Sequence, residues 1–491
     1  MLPVIPVIPA PGGPFGRAAV LAVLVALGGC ARAPAPAPAA RPATVTTSVA
    51  DSAFMDTVEV RTFRWFWDTA NPQNGLVPDR WPSPSFSSVA AVGFGLTAYP
   101  AAVERGWVTR EAARDRALAT LRFFWRAPQD TLAAGVTGYR GFFYHFLDMR
   151  TGHRFEQVEL STIDTALLLG GMLTCQMYFD GPDAAEAEIR ALADSIYRRV
   201  DWQWAVVRPP RVSMGWRPDS GFIAYDWRGY DESMLLYVLA LGSPTHPVDS
   251  AAWPAFTSTY TWGTFEGEEY LQFAPHFGHQ YSHVWIDFRG IQDAYMRERG
   301  IDYFENSRRA TRAQRAYAIR NPEGWVGYGA EEWGLTASDG PVDTVLIVNG
   351  RTRRFISYAA RGAGAVEVRD DGTIAPTAAG GSMPFAPELV LPALRAMRQR
   401  HDTVLFTRYG FLDAYNPSFT FDTLALTHGR VVPGRGWYDT DHLGIDQGAL
   451  LLMIENHRSE LIWRLMRRNP YIRDGLRKAG FRGGWLEEAV R

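Results

Sequence analysis

The chain is poor in cysteine, and that scarcity closes several routes at once. Cys30 and Cys175 are the only two in 491 residues. A disulfide framework or a cysteine-based metal site needs more. No charge of one sign dominates either, since 50 Lys and Arg stand against 52 Asp and Glu for a net charge of -2. With no long basic run after the first residues, nucleic acid is not an expected partner. A phosphate loop is missing too: Asp371-Gly-Thr-Ile-Ala-Pro-Thr-Ala-Ala-Gly-Gly381 lacks the Lys and the preceding strand that such a loop needs. No Gly-x-Ser-x-Gly elbow marks a serine nucleophile. Nor does any fixed repeat appear, which argues against a helical solenoid.

What is present is apolar and aromatic. Apolar residues make up 47%, aromatics 13% with 17 Trp, and charged residues 21%. That is enough for a large core with rings left over, of the kind that line sugar clefts. Residues 1–30 read as a bacterial lipoprotein signal. Arg17 supplies charge, Ala18 to Ala26 an apolar stretch too short to span a membrane, and Leu27-Gly-Gly-Cys30 the cleavage site. Ala31 rather than Asp follows the cysteine, so the expected location is periplasmic, lipid-anchored to the outer membrane through Cys30. Residues 31–50 are an Ala/Pro-rich linker in which repeated Pro prevents a helix. Residues 51–491 show no second stretch of that kind and are expected to form one domain.

Helical periodicity dominates that domain. Ser161 to Phe179 is apolar almost all round, whereas Ala184 to Asp201 is amphipathic. The alternation continues through Glu232 to Leu241, Ser250 to Tyr260, His283 to Arg299, Asp302 to Arg320, Pro384 to Arg400, and Gln447 to Ile454. About a dozen helices, alternately buried and amphipathic, predict an all-α fold, an (α/α)6 toroid in which inner helices ring an axis. One β-hairpin is expected within Thr344 to Ser357, turning at Asn349-Gly350.

Acids stand at the starts of three apolar helices: Glu159 and Asp164, Asp231 and Glu232, and Asp446. Any one could be a cap. In a toroid, however, all inner N-termini lie at one end, so these acids would meet in one cavity. Glycosidic cleavage needs such a pair, one carboxyl protonated to donate to the leaving oxygen and one ionised to activate water or attack. Burial beside another acid keeps a carboxyl protonated near neutrality. The stretch Gly138 to Asp148, with Tyr144, His145 and Asp148, suits a sugar platform. His279, His283 and Asp287 recur at i, i+4 and i+8, a spacing that could hold a metal on one helix face. With no Glu base beside either His, sugar hydrogen bonding is the preferred reading, and no metal or cofactor is expected.

Several motifs in order resemble a known family. They are Phe63-Arg-Trp-Phe-Trp67, Gly141 to Asp148, Glu159-Leu-Ser-Thr-Ile-Asp164, Gly229-Tyr-Asp-Glu232, Gly278-His-Gln-Tyr-Ser-His283, Trp333 to Gly340, Ile374 to Ser382 and Leu443-Gly-Ile-Asp-Gln-Gly448. Together they are similar to the bacterial glucoamylase-like domain of glycoside hydrolase family 144, the endo-β-1,2-glucanases, with relatives in cyclic β-1,2-glucan synthases. The resemblance implies an (α/α)6 barrel and inverting hydrolysis of β-1,2-glucan to short sophoro-oligosaccharides, without a cofactor. It implies Glu232 as proton donor. Glu159, Asp164 and Asp446 stay open as the base, with the two carboxyls roughly 6.5 to 9.5 Å apart or farther if a relay intervenes. Asp231, Tyr144, His145, Asp148, His279, Tyr281, His283, Trp333 and Asp339 are the expected substrate contacts. The alternatives are an exo-acting or transglycosylating enzyme of the same fold, and a non-catalytic glucan-binding lipoprotein. A monomer is expected.

Overall fold

Side chains at cap positions start many of the helices that hydrophobic spacing predicts. In the computed structural model, which describes residues 48–489 apart from Asn349, Ser48 accepts from Asp51 N at the head of α1 (Val49–Thr69). Ser88 does the same for α2 (Val89–Glu104), and Thr109 for α3 (Arg110–Arg126). Ser161 caps α4 (Thr162–Tyr178) and Asp183 caps α5 (Ala184–Arg199). These bonds satisfy amide groups that a helix start leaves without a partner. The helices α6 (Met234–Gly242), α7 (Ala252–Thr257), α8 (Tyr281–Trp285), α9 (Ala294–Arg299) and α10 (Tyr303–Arg320) follow. The series closes with α11 (Pro376–Gly380), α12 (Pro387–Leu405), α13 (Gly444–Ser459), α14 (Leu461–Arg468) and α15 (Pro470–Lys478). The leader, Cys30 and residues 31–47 of the linker lie outside the described residues, as does Asn349 of the expected turn.

The apolar helices are the buried ones. Every residue of α6 is buried, and so is nearly all of α2, α4 and α13, whereas α3, α5 and α10 bury one face only. The α2–α4 pair is the most intimate. A Cβ on Gly93 would lie 2.3 Å from the Leu167 carbonyl oxygen, and one on Gly171 2.2 Å from that of Gly93. Only glycine permits this backbone approach. Next to α2 lies α13, so the last long buried helix meets the first. The amphipathic α3 and α5 pack on each other and on α2 and α4 respectively, and α15 covers α6.

Two expectations change. The predicted helix from His283 to Arg299 is two short ones, α8 and α9, with Ile286 to Asp293 non-helical between them. And the molecule is helix-rich rather than all-α. Short strands stitch the loops, as where Thr344–Val348 and Arg351–Phe355 form the expected hairpin, Gly350 taking φ 74°. The others are mostly two or three residues long, too short for a period-2 pattern to register. Five of them, Gly138–Tyr139, Phe142–Tyr144, Leu160–Ser161, Gly215–Arg217 and Gly221–Phe222, make one antiparallel sheet above the start of α4.

Candidate active site

The five-stranded sheet aims the first acids. Tyr144 pairs with Leu160 and Leu160 with Trp216, so His145, Glu159 and Arg217, one position along each strand, are cross-strand neighbours. His145 Nδ1 donates to Glu159 Oε1 at 2.9 Å, and Arg217 Nη2 reaches Glu159 Oε2 at 3.4 Å. The other ring nitrogen, His145 Nε2, lies 3.6 Å from Asp164 Oδ2 in the first turn of α4. Burial opposes charge on both partners, but their mutual attraction prevails. His145 is pushed up to about 9, with Asp164 the leading cause, and Glu159 is pulled down to about 2 by His145 and Arg217. Asp164 is buried and raised above the usual carboxylate range, although Ser161 Oγ donates to its Oδ2 at 2.5 Å.

At the head of α6 the two acids divide the work differently from the sequence expectation. Asp231 Oδ1 accepts from Ser233 N at 2.9 Å and Ser233 Oγ at 2.5 Å, closing a turn in front of the helix. The helix therefore begins at Met234, not at Glu232. Its start is served by α8, where Ser282 Oγ donates to the Glu232 carbonyl at 2.7 Å and accepts from Leu235 N at 3.0 Å. The Glu232 side chain is half-buried and spared from capping. Burial, then the charges of Asp231 and Asp164, raise it well above the usual range, while burial lifts Asp231 to about 7 against its Ser233 bonds.

A second acidic group sits at the head of α13. Arg80–Trp81 pairs with His442–Leu443, and Gly444 N donates to the Asp79 carbonyl at 2.8 Å, so Asp79 and Arg80 stand beside Asp446 in the first turn of α13. Arg80 Nη1 donates to Asp339 Oδ2 at 2.6 Å, and Asp339 N to Asp413 Oδ2 at 2.8 Å. Burial raises Asp446, Asp413 and Asp439 well above the usual range and Asp339 to about 6. Between the two groups stands Tyr281, whose buried hydroxyl makes no well-formed hydrogen bond among the described residues and lies in the field of both Asp446 and Glu232.

Glu159, Asp164, Asp231, Glu232, His145, Tyr281, Asp339 and Asp446 thus gather around one region. The other expected contacts are engaged by the protein's own groups. Tyr144 is wholly buried under the Arg154 guanidinium, 4.8 Å from its ring, and Trp333 is buried in a second apolar cluster. Asp148 folds its own loop, accepting from Thr151 N at 2.7 Å and Arg150 N at 3.1 Å. The histidines do not share a face with Asp287. His279 ends a 3-10 turn and binds the Phe273 carbonyl at 3.0 Å, while His283 lies in α8 and meets Ser307 Oγ at 3.1 Å. Burial keeps both neutral, His279 at about 4 and His283 well below its usual value. Asp287, beyond α8, pairs with Arg289 at 2.8 Å and with Arg467.

Residues absent from the expected set are Asp79, Arg80, Arg217, Asp413 and Asp439. Asp413 had a sequence signal, an acid inside the apolar Gly410-Phe-Leu-Asp-Ala-Tyr415. Arg80 and Arg217 had none, because each owes its place to a strand pairing across the chain.

A profile of the family described as "Putative glucoamylase" matches residues 224–470. A solved structure of a putative glucoamylase from Bacteroides caccae ATCC 43185 is 31% identical, with TM-score 0.76, covering 88% of this chain and all of that one. The chain belongs to this glucoamylase-like family. Two further relatives of the family fold have named activities. The endo-beta-1,2-glucanase of Chitinophaga pinensis, solved with sophorotriose and glucose, is 26% identical with TM-score 0.75, over 89% of this chain and all of that one. The exo beta-1,2-glucooligosaccharide sophorohydrolase (non-reducing end) of Parabacteroides distasonis is 27% identical over 467 residues, 88% of this chain. The chain spans 58% of the length of that relative.

Proposed function

We propose that this chain is a glycoside hydrolase of family 144 that cleaves linear β-1,2-glucan to short sophoro-oligosaccharides, acting within the chain on an (α/α)6 toroid. The observation that carries the reading is the meeting of two acidic helix heads, α6 and α13, on either side of Tyr281. Glu232 is the proton donor. Its carboxyl holds its proton at neutrality because ionising it would place a third charge beside Asp231 and Asp164 in a partly closed site. Transfer of that proton to the glycosidic oxygen lets the leaving sugar depart as an alcohol.

Asp446 is the base that takes a proton from the attacking water. The choice among the three open candidates follows from what each carboxylate already holds. Glu159 is bound by His145 and Arg217 and pulled down to about 2, too weak a base to accept a proton efficiently. Asp164 has its Oδ2 tied to Ser161 and stands beside Glu232. Asp446 keeps a buried Oδ2 with no partner among the described residues, and burial raises its proton affinity, so it acts as base from its ionised form, with the proton the acidic group retains resting on the neighbouring Asp413. Glu159 then serves to hold His145 as a cation against Asp164.

Incubating the domain with linear β-1,2-glucan and following reducing ends tests this reading; no release from that glucan overturns it. A second reading, exo action releasing sophorose, has the Parabacteroides distasonis relative in its favour. A ladder of early products supports endo cleavage, and sophorose alone from the first minutes supports exo. The proposed setting is a monomer on the periplasmic side of the outer membrane, tethered through lipid on Cys30.

A further inference from the structure

Behind Asp446 the carboxylates are too many for the cations that face them. Asp339, Asp413 and Asp439 are each 0% exposed, and Asp446 is 3% exposed. Arg80 is shared between Asp339 at 2.6 Å and Asp79 at 3.2 Å, while the nearby Arg361 is spent on Asp371 at 2.7 Å. His428 Nδ1 lies 3.2 Å from Arg80 Nη1, which turns its Nε2 toward Asp339 Oδ1 at a long 3.5 Å. Backbone amides take part of the load. Asp413 Oδ2 accepts from Asp339 N at 2.8 Å, and Asp439 Oδ1 from Thr440 N at 2.7 Å.

That leaves Asp339 Oδ1, Asp413 Oδ1 and Asp439 Oδ2 buried with no hydrogen bond among the described residues. A buried carboxylate oxygen left so is costly. One carboxylate oxygen from each of the three residues lies within 4.8 Å of the others. Calcium takes oxygen ligands at about 2.3–2.6 Å, so two on opposite sides of the ion stand about 5 Å apart, matching that span. A fourth carboxylate, that of Asp446 on a different element, rests against Asp413 in the field of Asp339, with its Oδ2 also unpartnered. The scaffold is fixed without any ion: Asp413 N donates to the Asp441 carbonyl at 3.0 Å and Asp439 N to that of Ala414 at 2.9 Å.

We propose that Asp339, Asp413 and Asp439 bind one hard divalent cation of the Ca2+ class, which neutralises the closed acidic nest behind Asp446. An all-oxygen ligand set favours calcium over zinc or copper. The ion is structural and takes no part in the proton transfers proposed above, so its test does not use activity.

The whole protein, stripped with a chelator and dialysed, is titrated with CaCl2 by calorimetry and melted with and without the ion. One ion per chain is expected, with a saturable rise in Tm of about 2 °C or more at a hundredfold excess over Kd. Asp439→Asn and Asp413→Asn, which keep shape and remove a charge, should weaken binding at least about tenfold and lose the melting response. Should a variant fail to fold, the wild-type titration decides alone. Absence of saturable Ca2+ uptake by the stripped wild type, with a Tm indifferent to chelator, overturns the proposal and leaves shared protons to neutralise the nest.

Discussion

Replacing Glu232 by Gln removes a proton and almost nothing else. The amide keeps the length and shape of the protonated carboxyl, and the carbonyl that receives Ser282 Oγ at 2.7 Å belongs to the backbone. A positioned general acid is worth about 10²–10⁴ in rate, which is about 3 to 5 kcal/mol of transition-state stabilisation. Stability should respond in the opposite sense. Because the folded Glu232 carboxyl is raised above 4.5, the folded state binds the extra proton, so stability falls as pH climbs from 4.5 toward the folded value. The slope is at most about 1.4 kcal/mol per pH unit. Gln does not titrate, so E232Q loses that slope and melts at or above the wild type at neutral pH. Asp231, raised to about 7, adds a slope of the same sign in both proteins. Reducing ends from linear β-1,2-glucan measure the activity, and thermal melts between pH 5 and pH 8 measure stability. Activity within about tenfold of wild type would refute the role of Glu232 as acid.

Asp446→Asn should lower turnover at least about a hundredfold while calorimetry still detects oligosaccharide binding, because the amide cannot take the proton of water. His145→Gln should flatten the pH dependence of melting on both limbs. In the wild type, the His145 contribution is complete below 6.5 and lost as pH rises through about 9, whereas that of Glu159 is complete above 4.5 and lost as pH falls through about 2. Gly93→Ala would set a Cβ 2.3 Å from the Leu167 carbonyl oxygen and force α2 from α4, at a cost of about 1–3 kcal/mol or more that a lowered urea midpoint would register. Cys30→Ala should move the protein from the detergent phase to the aqueous phase on cloud-point partition; unchanged partition would remove the lipid anchor.

The helices were legible wherever a cap and an apolar run coincided. Thr109 accepts from Ala112 N at 3.1 Å and Ser161 from Asp164 N at 3.2 Å, close to where the spacing put their helix starts. Where capping comes from another part of the chain, legibility fails. At α6 the amide of Leu235 is served by Ser282, 47 positions away, so the local pattern places the helix start at Glu232, two residues early. The end of α8 was not legible either: helical spacing runs on to Arg299, but the helix stops at Trp285, and Asp287 beyond it pairs with Arg289 and with Arg467 from α14.

The site divides along the same line. Acids at the heads of apolar helices are a local property, so Glu159, Asp164, Asp231, Glu232 and Asp446 could be picked out from spacing alone. What each acid does depends on the partners folding brings to it. Glu159 and Glu232 are the same residue type in similar settings, yet His145 and Arg217 pull one down to about 2 while burial and the charges of Asp231 and Asp164 raise the other well above the usual carboxylate range. Chain spacing carries no record of those neighbours, because Arg217 and Asp164 arrive through strand pairing and helix packing. Residue type and local pattern determined which groups could carry a proton. Only tertiary structure decided which of them holds one at neutral pH, since the electrostatic cost of a charge is set by the charges and the water around it.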